Sequence, residues 1–525
     1  MDFVRQFFSK KSIAFVNVFL FLMFFSFFVV FSNKLFSLVK YSDFGDLNFY
    51  FYKNLIDSLS YSLKHVSILF FLLIVFVPFL SFIFMVTGRR ENGINFVSNF
   101  LFYLPGTISA SALLGVFDGF GFATSGVWIT VFLFFVINVL YLSLLGSRFS
   151  KEFFYSDKGI DFLISYQSLG LKTLRVLFLK HCFIIFYRLK YWIFTVLFWA
   201  FTSFSAVILL SGNKTSVGIE IMMYFEYFKG NSDLRILILF VIHLIFIVML
   251  YFLLTRLKTV QVQKNFKQIG EFRFLKVFKA MMGELKIFKI SIFVFKLLVF
   301  LFCFIVFFMN LDVLNNSFNF DVLRPFLNTM LLSFLFSVIS LIFCFLFLLV
   351  NKGVQKLIMF FFFISPTFAV LTVFDWGASF SDLSVYNKVV MYLFIMFILS
   401  APVLYLWIKE ERELWSLKHY ISYRSLGLSR FDYFRKIIIP KLLPVIEKCV
   451  LFSIFSIFAE LALSTVFFDD NFHTLGSFVY TSVKNYEFSN LNYLLWLYGL
   501  TYVLTLLFLK FLKKFLCVRP PNVEI

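Results

Sequence analysis

Runs of about twenty apolar residues with few charges recur from one end of this chain to the other, and no other feature limits its fold so tightly. Wound as helix at about 1.5 Å per residue, such a run crosses the roughly 30 Å hydrocarbon layer of a bilayer. The runs fall at Ser12–Ser32 and near 65–86, 99–117, 126–146, 191–211 and 235–255. They return near 290–309, 327–350, 357–374, 389–408, 446–467 and 492–512, about twelve in all, six per half. The run at 357–374 is the weakest, because Ser365-Pro366 interrupts it. In lipid, every backbone polar group needs a partner inside the protein, which a helix supplies along its own length. The expected fold class is an all-α polytopic membrane protein.

Composition agrees. Hydrophobic residues make up 61% and charged residues 14%, with 88 Phe. A soluble chain would be nearer half apolar and a quarter charged, so the surplus needs a solvent other than water. The net charge of +20, from 48 basic and 28 acidic residues, raises the question of nucleic acid, and placement answers it. With both termini on the cytoplasmic side, the inner segments hold 36 of the 48 basic residues and the outer loops only 8. That is the positive-inside pattern, so topology accounts for the charge and no nucleic-acid partner is expected. The basic stretch Met1–Lys11 leads into a run too long for a signal peptide and lacking a small-residue cleavage site. An uncleaved first span is expected. Trp128, Trp192, Trp376, Trp407 and Trp415 fall near span ends, where interface anchors belong.

The chain carries little that could do covalent chemistry. It has no G-x-x-x-x-G-K-[ST] phosphate loop, and Gly212-Asn-Lys-Thr215 lacks the upstream glycine and lies on the outer side. Its five histidines, at 65, 181, 243, 419 and 473, form no H-E-x-x-H pattern. Its five cysteines, at 182, 303, 344, 449 and 517, form no CxxC pair, which argues against a metal site and against a disulfide framework. The chain is expected not to be an enzyme by itself and to hold no cofactor or metal.

Between the spans lie two polar, basic islands that are nearly the same. Ile164-Ser-Tyr-Gln-Ser-Leu-Gly-Leu171 matches Ile421-Ser-Tyr-Arg-Ser-Leu-Gly-Leu428 at seven of eight positions, 257 residues apart in a chain of 525. The chain reads as a duplication with one cytoplasmic island per half. Gly427 suits a left-handed helix C-cap, where only glycine avoids a Cβ penalty. Ser429 with Asp432 reads as the start of a second short helix, which Pro440 limits. The expected divisions are a first half at 1–258 with its island at 158–183, a cytoplasmic linker at 259–288, and a second half at 289–525 with its island at 415–444. The stretch Arg256–Lys289, with nine basic residues and interspersed Phe, reads as a membrane-surface amphipathic connection. The outer loops at 33–64, 212–234 and 468–491 are too short for a substrate-capturing domain.

The islands resemble the cytoplasmic "EAA" loop in the membrane subunits of type I ABC importers, where Gly precedes I-x-L-P by nine residues. Here Gly427, nine residues, then Ile437-Ile-Ile-Pro440 satisfies that portion, and Arg424-Ser-Leu-Gly427 is similar to the R-S-L-G often found there. The opening E-A-A is replaced by Ile421-Ser-Tyr423 and, in the first copy, by Ile164-Ser-Tyr166. The first copy has Lys180-His-Cys-Phe183 in place of I-x-L-P. Ser203–Gly212 with Gly218–Tyr224 looks like the region after the first loop of ferric-iron and thiamine permeases, and Ala459–Ala462 with Thr474–Tyr480 stands in the equivalent place of the second half.

The resemblance implies a type I ABC importer (MetI-like) fold of two homologous six-span halves, with both termini cytoplasmic in a bacterial cytoplasmic (inner) membrane. It implies two copies of a separate ABC ATPase subunit, which uses the ATP, and an extracytoplasmic substrate-binding protein. Coupling to the ATPase would run through Ser168, Leu169, Gly170 and Leu171 in one island, and through Arg424, Ser425, Leu426, Gly427, Leu428 and Pro440 in the other. Ser203 and Glu460, which correspond across the 257 offset, would lie on the substrate pathway. Glu460 could attract a cation there or pair structurally with a neighbouring span. Lys296 reads as snorkelling to the interface, and His243 as packed and neutral. An ion-coupled secondary transporter also uses about twelve spans in two related halves, and is the alternative expectation.

Overall fold

The computed structural model describes residues 10–40, 47–87, 92–103, 127–154, 173–202, 218–228, 233–255, 322–376, 385–413, 439–467, 472–484 and 489–516, with a few isolated positions between them. Every regular element among these residues is a helix. Among the described residues eight helices are long and apolar enough to cross a membrane, or nine if one bent pair counts as a span. The shorter apolar stretch Trp496–Phe511 adds to these. Of the twelve expected runs, 290–309 and most of 99–117 lie outside the described residues, as do both Ser-Leu-Gly-Leu turns, the 259–288 linker and Lys296.

The first set comprises α1 (Lys10–Lys40), α2 (Phe49–Thr87), α3 (Asn92–Tyr103), α4 (Val127–Phe154), α5 (Thr173–Phe201), α6 (Ile219–Phe228) and α7 (Asp233–Thr255). The second comprises α8 (Leu323–Phe347), α9 (Lys352–Phe360), a 3₁₀ turn (Phe361–Phe363), α10 (Pro366–Trp376) and α11 (Val385–Glu413). It continues with α12 (Ile439–Ala459), α13 (Ala462–Phe467), α14 (Leu475–Lys484) and α15 (Ser489–Leu516).

The helix bounds repeat. Ile219 to Leu475 and Phe228 to Lys484 are both 256 residues apart, so α6 and α14 begin and end at the same offset. The starts of α7 and α15, Asp233 and Ser489, differ by 256 as well. Packing repeats with them: α2 lies against α4, α5 and α6, while α8 lies against α11, α12 and α14. Each short helix takes a hydroxyl on its first N–H from the long helix beside it. Ile219 N donates to Ser62 Oγ at 3.3 Å, and Leu475 N to Thr329 Oγ1 at 2.7 Å. A helix start leaves such N–H groups without intrahelical partners, which is why a buried one needs this donation.

Lipid tails are as apolar as the helix faces, so close fit rather than hydrophobicity joins spans. Small residues supply it between α2 and α4, where Ser81 Oγ donates to Ser143 O at 2.9 Å and a Cβ on Gly146 would stand 2.6 Å from Ser81 Oγ. Aromatic rings supply it elsewhere, at the separations where offset and edge contacts are favourable.

The two sets embrace each other. From the first set, α1 packs on α9 and α10, and α7 on the 3₁₀ turn, with the Phe240 and Phe368 rings stacked at 4.2 Å. In return, Tyr498 and Tyr502 of α15 hold Phe100 of α3, at 5.4 and 5.2 Å between centroids. Asn17 of α1 pins the α8–α9 corner, donating to Leu349 O at 3.0 Å and accepting from Asn351 N at 2.7 Å.

Two expectations need correction. The helix covering the expected 191–211 run starts at Thr173, because Lys180, Arg188 and Lys190 interrupt the hydropathy without interrupting the helix. Lys190 is 3% exposed, with its Nζ above the Tyr187 and Tyr191 rings. Trp192 therefore sits in mid-helix and is no interface anchor. It is buried and stacked on the buried Trp407, with centroids 5.2 Å apart and planes at 19°, joining α5 to α11. Trp128, 71% exposed at the start of α4, has the position an anchor needs.

Candidate functional site

The weak run at 357–374 is a broken helix, bent by 100° between its two parts. Its sequence dictates the break. The residue before a proline disfavours helical dihedrals, and proline is favoured at the first helical position. Ile364 is extended, at φ −85° and ψ 126°. Ser365 then caps α10, its Oγ accepting from Phe368 N at 3.1 Å and its carbonyl from Ala369 N at 2.9 Å. The N-terminus of α10, with the positive end of its dipole, is thus presented inside the protein.

A carboxylate faces it. Oε2 of Glu220 accepts from Ser365 Oγ at 2.7 Å and from Thr367 N at 3.3 Å. Glu220 is the second residue of α6, placed there by the Ser62 hydroxyl that holds Ile219 N. Its other oxygen, Oε1, stands 2.8 Å from Nδ1 of His243 on α7, with side chains 2% and 0% exposed. The Phe201 ring covers the imidazole at 5.2 Å. Nε2 of His243 is buried and has no hydrogen-bond partner among the described residues. Carboxylate, imidazole, hydroxyl and helix N-terminus therefore converge at one buried point, where α6 and α7 meet α10.

At the far end of α6 the charges sort separately. Glu226 pairs with Arg235 at 3.2 Å, and the Lys34 Nζ lies 5.8 Å from the Tyr227 ring centre. Tyr227 is pushed up to about 12, by burial first and then by the charge of Asp233.

Glu460 stands elsewhere, at the two-residue break between α12 and α13. Its Oε1 accepts from Leu463 N at 2.6 Å, which closes the first turn of α13, and it is half-buried. Pro440 is the second residue of α12, so it opens that helix. Lys180-His-Cys-Phe183 lies inside α5, where His181 Nε2 donates to Pro78 O at 3.0 Å. Ser168, Leu169, Gly170, Leu171, Ser203 and Arg424 to Leu428 lie outside the described residues.

Sequence reasoning passes over Glu220, gives His243 no partner and treats Ser365-Pro366 only as a flaw in a span. The signal was present in part: a Ser-Pro pair inside an apolar run is a capped helix start, and a cap that faces inward needs an acceptor nearby. Among the described residues no group of three or more His, Cys, Asp or Glu could hold a metal ion. Compared with protein families, with curated proteins and with solved structures, the chain finds no match in any of the three.

Proposed function

We propose that this chain is the permease subunit of an ATP-binding-cassette importer, forming the substrate pathway and driven by a separate ATPase. The observation that carries the reading is the twice-written Ser-Leu-Gly-Leu turn, at Ser168–Leu171 and Ser425–Leu428, 257 residues apart. The matching bounds of α6 and α14 at an offset of 256 support a duplicated architecture. A membrane chain without a nucleotide site can still be driven by ATP if rigid cytoplasmic turns dock on an ATPase. Closure of two ATPase subunits would draw the turns together and swing the attached spans between outward and inward openings.

In this reading both termini face the cytoplasm of a bacterium, and an extracytoplasmic binding protein delivers the substrate. The likeness to ferric-iron and thiamine permeases makes those the proposed substrates, with Ser203 and Glu460 on the pathway. The fold is then that of type I ABC importers, with about twelve spans in two halves.

The test is substrate-stimulated ATP hydrolysis by the reconstituted complex. A Cβ forced into a left-handed turn costs about 1–2 kcal/mol, enough to misplace a docking helix. Gly427→Val should uncouple hydrolysis from transport more than Gly170→Val, because only the second island continues into Ile437-Ile-Ile-Pro440. Full stimulation in the double variant would refute the coupling role. The buried Glu220–His243 pair at a helix break is the one observation favouring the second reading, an ion-coupled secondary transporter.

A further inference from the structure

We infer that Glu220 and His243 form a proton-binding site between α6, α7 and the broken helix, with the exchangeable proton on Nε2 of His243. The chemistry follows from the geometry. Nδ1 faces the carboxylate at 2.8 Å, so the nitrogen that keeps its hydrogen is Nδ1. Neither ring nitrogen meets the full geometry of a hydrogen bond, but only Nδ1 has a polar group beside it among the described residues, which leaves Nε2 as the one that gains or loses a proton. With Nε2 protonated, imidazolium and carboxylate cancel. With Nε2 bare, one negative charge remains in a site whose two side chains are at most 2% exposed. Among the described residues that charge is then met only by the Ser365 hydroxyl, the Thr367 N–H and the N-terminus of α10, so the hold on the proton depends on how closely α10 stands to α6.

The surroundings leave the pair to itself. Besides His243, the groups acting on Glu220 are the polar partners Thr367 and Ser365. From α2, Ser62 meets Ile219 N, while His65 faces the Phe134 ring at 5.4 Å. From α5 comes the Phe201 ring, and from α1 Lys34 lies over Tyr227, toward the other end of α6. On α6 itself Glu226 is held by Arg235 at the start of α7.

The duplication supplies an independent argument. At the offset of 256, the positions of Glu220 and His243 are taken by Gly476 and Gly499. Helix α14 keeps the bounds of α6 without either side chain, so the short helix does not need the pair in order to form. A residue pair that the architecture does not require, placed where a helix start from the other set is presented, has the marks of a ligand site. Its ligand is a proton, because one imidazole and one carboxylate are too few donors for a metal site, and no third His, Cys, Asp or Glu joins them among the described residues. Any rearrangement that parts α10 from α6 then takes up or releases a proton, whichever energy source drives it.

The experiment uses the full chain, labelled with ¹⁵N-histidine, in lipid nanodiscs, with imidazole resonances followed as pH is varied. The His243 signal is assigned by replacing His65, His181, His419 and His473 one at a time. The expected result is an imidazole that titrates at Nε2 while Nδ1 keeps its hydrogen. Glu220→Gln should move its midpoint by at least one unit, a tenfold change in proton affinity, because the carboxylate stands 2.8 Å from the imidazole. A His243 resonance held in one protonation state from acid to alkaline pH would overturn the inference, and that result does not depend on Glu220→Gln folding. An equal midpoint in Glu220→Gln and the parent would overturn it too. Since no ATPase is present, neither outcome bears on the importer reading.

Discussion

Gly476 lies against the carbonyl oxygen of Glu460 so closely that a Cβ on it would collide with that oxygen, and would stand 2.7 Å from Ser464 Oγ. The contact fastens α14 to the break between α12 and α13, with backbone on both sides and nothing soft to move aside. Gly476→Ala should therefore destabilise the protein by about 1–3 kcal/mol, as overpacked sites do. The check is the melting temperature in nanodiscs, with Gly499→Ala as the counterpart. A Cβ at Gly499 meets no heavy atom within 4 Å, and alanine in a helix interior gains about 0.5–1 kcal/mol over glycine. A fall with Gly499→Ala, or none with Gly476→Ala, would contradict this packing.

Glu460 can be dissected by choosing what is removed. Its Oε1 closes the first turn of α13 through Leu463 N. Glu460→Gln keeps an oxygen there and loses the charge, whereas Glu460→Ala loses both and should cost about 1 kcal/mol as a missing cap does. For a residue on the substrate pathway, the Gln variant has normal stability and reduced uptake. Normal uptake in the Gln variant would reduce Glu460 to its capping role.

The Trp192–Trp407 stack is testable by a double-mutant cycle. Each single change to Ala empties a buried site and should cost about 3–5 kcal/mol. The coupling between the two should be about 0.5–1.5 kcal/mol, since each loses the same ring contact. Strict additivity in denaturation would mean that the rings do not meet in the membrane.

Orientation has its own measurement. Reporter domains fused after residues near 150, 270 and 420 should report the cytoplasm, and those near 220 and 480 the outer side. Protease cleavage near Gly270 from outside intact cells would invert the whole arrangement.

The long helices were legible because hydropathy over some twenty residues reports a local property, the match of a helix to lipid. Their ends were less so. Arg188 and Lys190 make the start of α5 look like a loop, yet the Arg188 guanidinium sits 5.8 Å from the Phe149 ring and Lys190 lies over two tyrosines. Those contacts let charges enter a span without breaking it. Of the buried cluster only the Ser365-Pro366 helix start could be read. Ser365 is 145 residues from Glu220 and belongs to the other set of helices, and no periodicity relates positions brought together only by tertiary exchange. Trp192 misled for a similar reason. An aromatic near a predicted span end is an anchor only if the span really ends there.

The embrace of α1 and α7 by elements of the second set bears on how the chain is made. The partners of α7, the 3₁₀ turn at Phe361–Phe363 and α10 at Pro366–Trp376, follow its last residue, Thr255, by more than a hundred residues. At roughly 5–20 residues per second of synthesis, that interval is on the order of ten seconds. Through it, the carboxylate of Glu220 waits for the hydroxyl of Ser365, and the Phe240 ring for that of Phe368. The nascent first half thus stands in the bilayer as an open receptor for its own sequel, and a ribosome pausing between Thr255 and Phe361 would lengthen the time that receptor is exposed to membrane proteases.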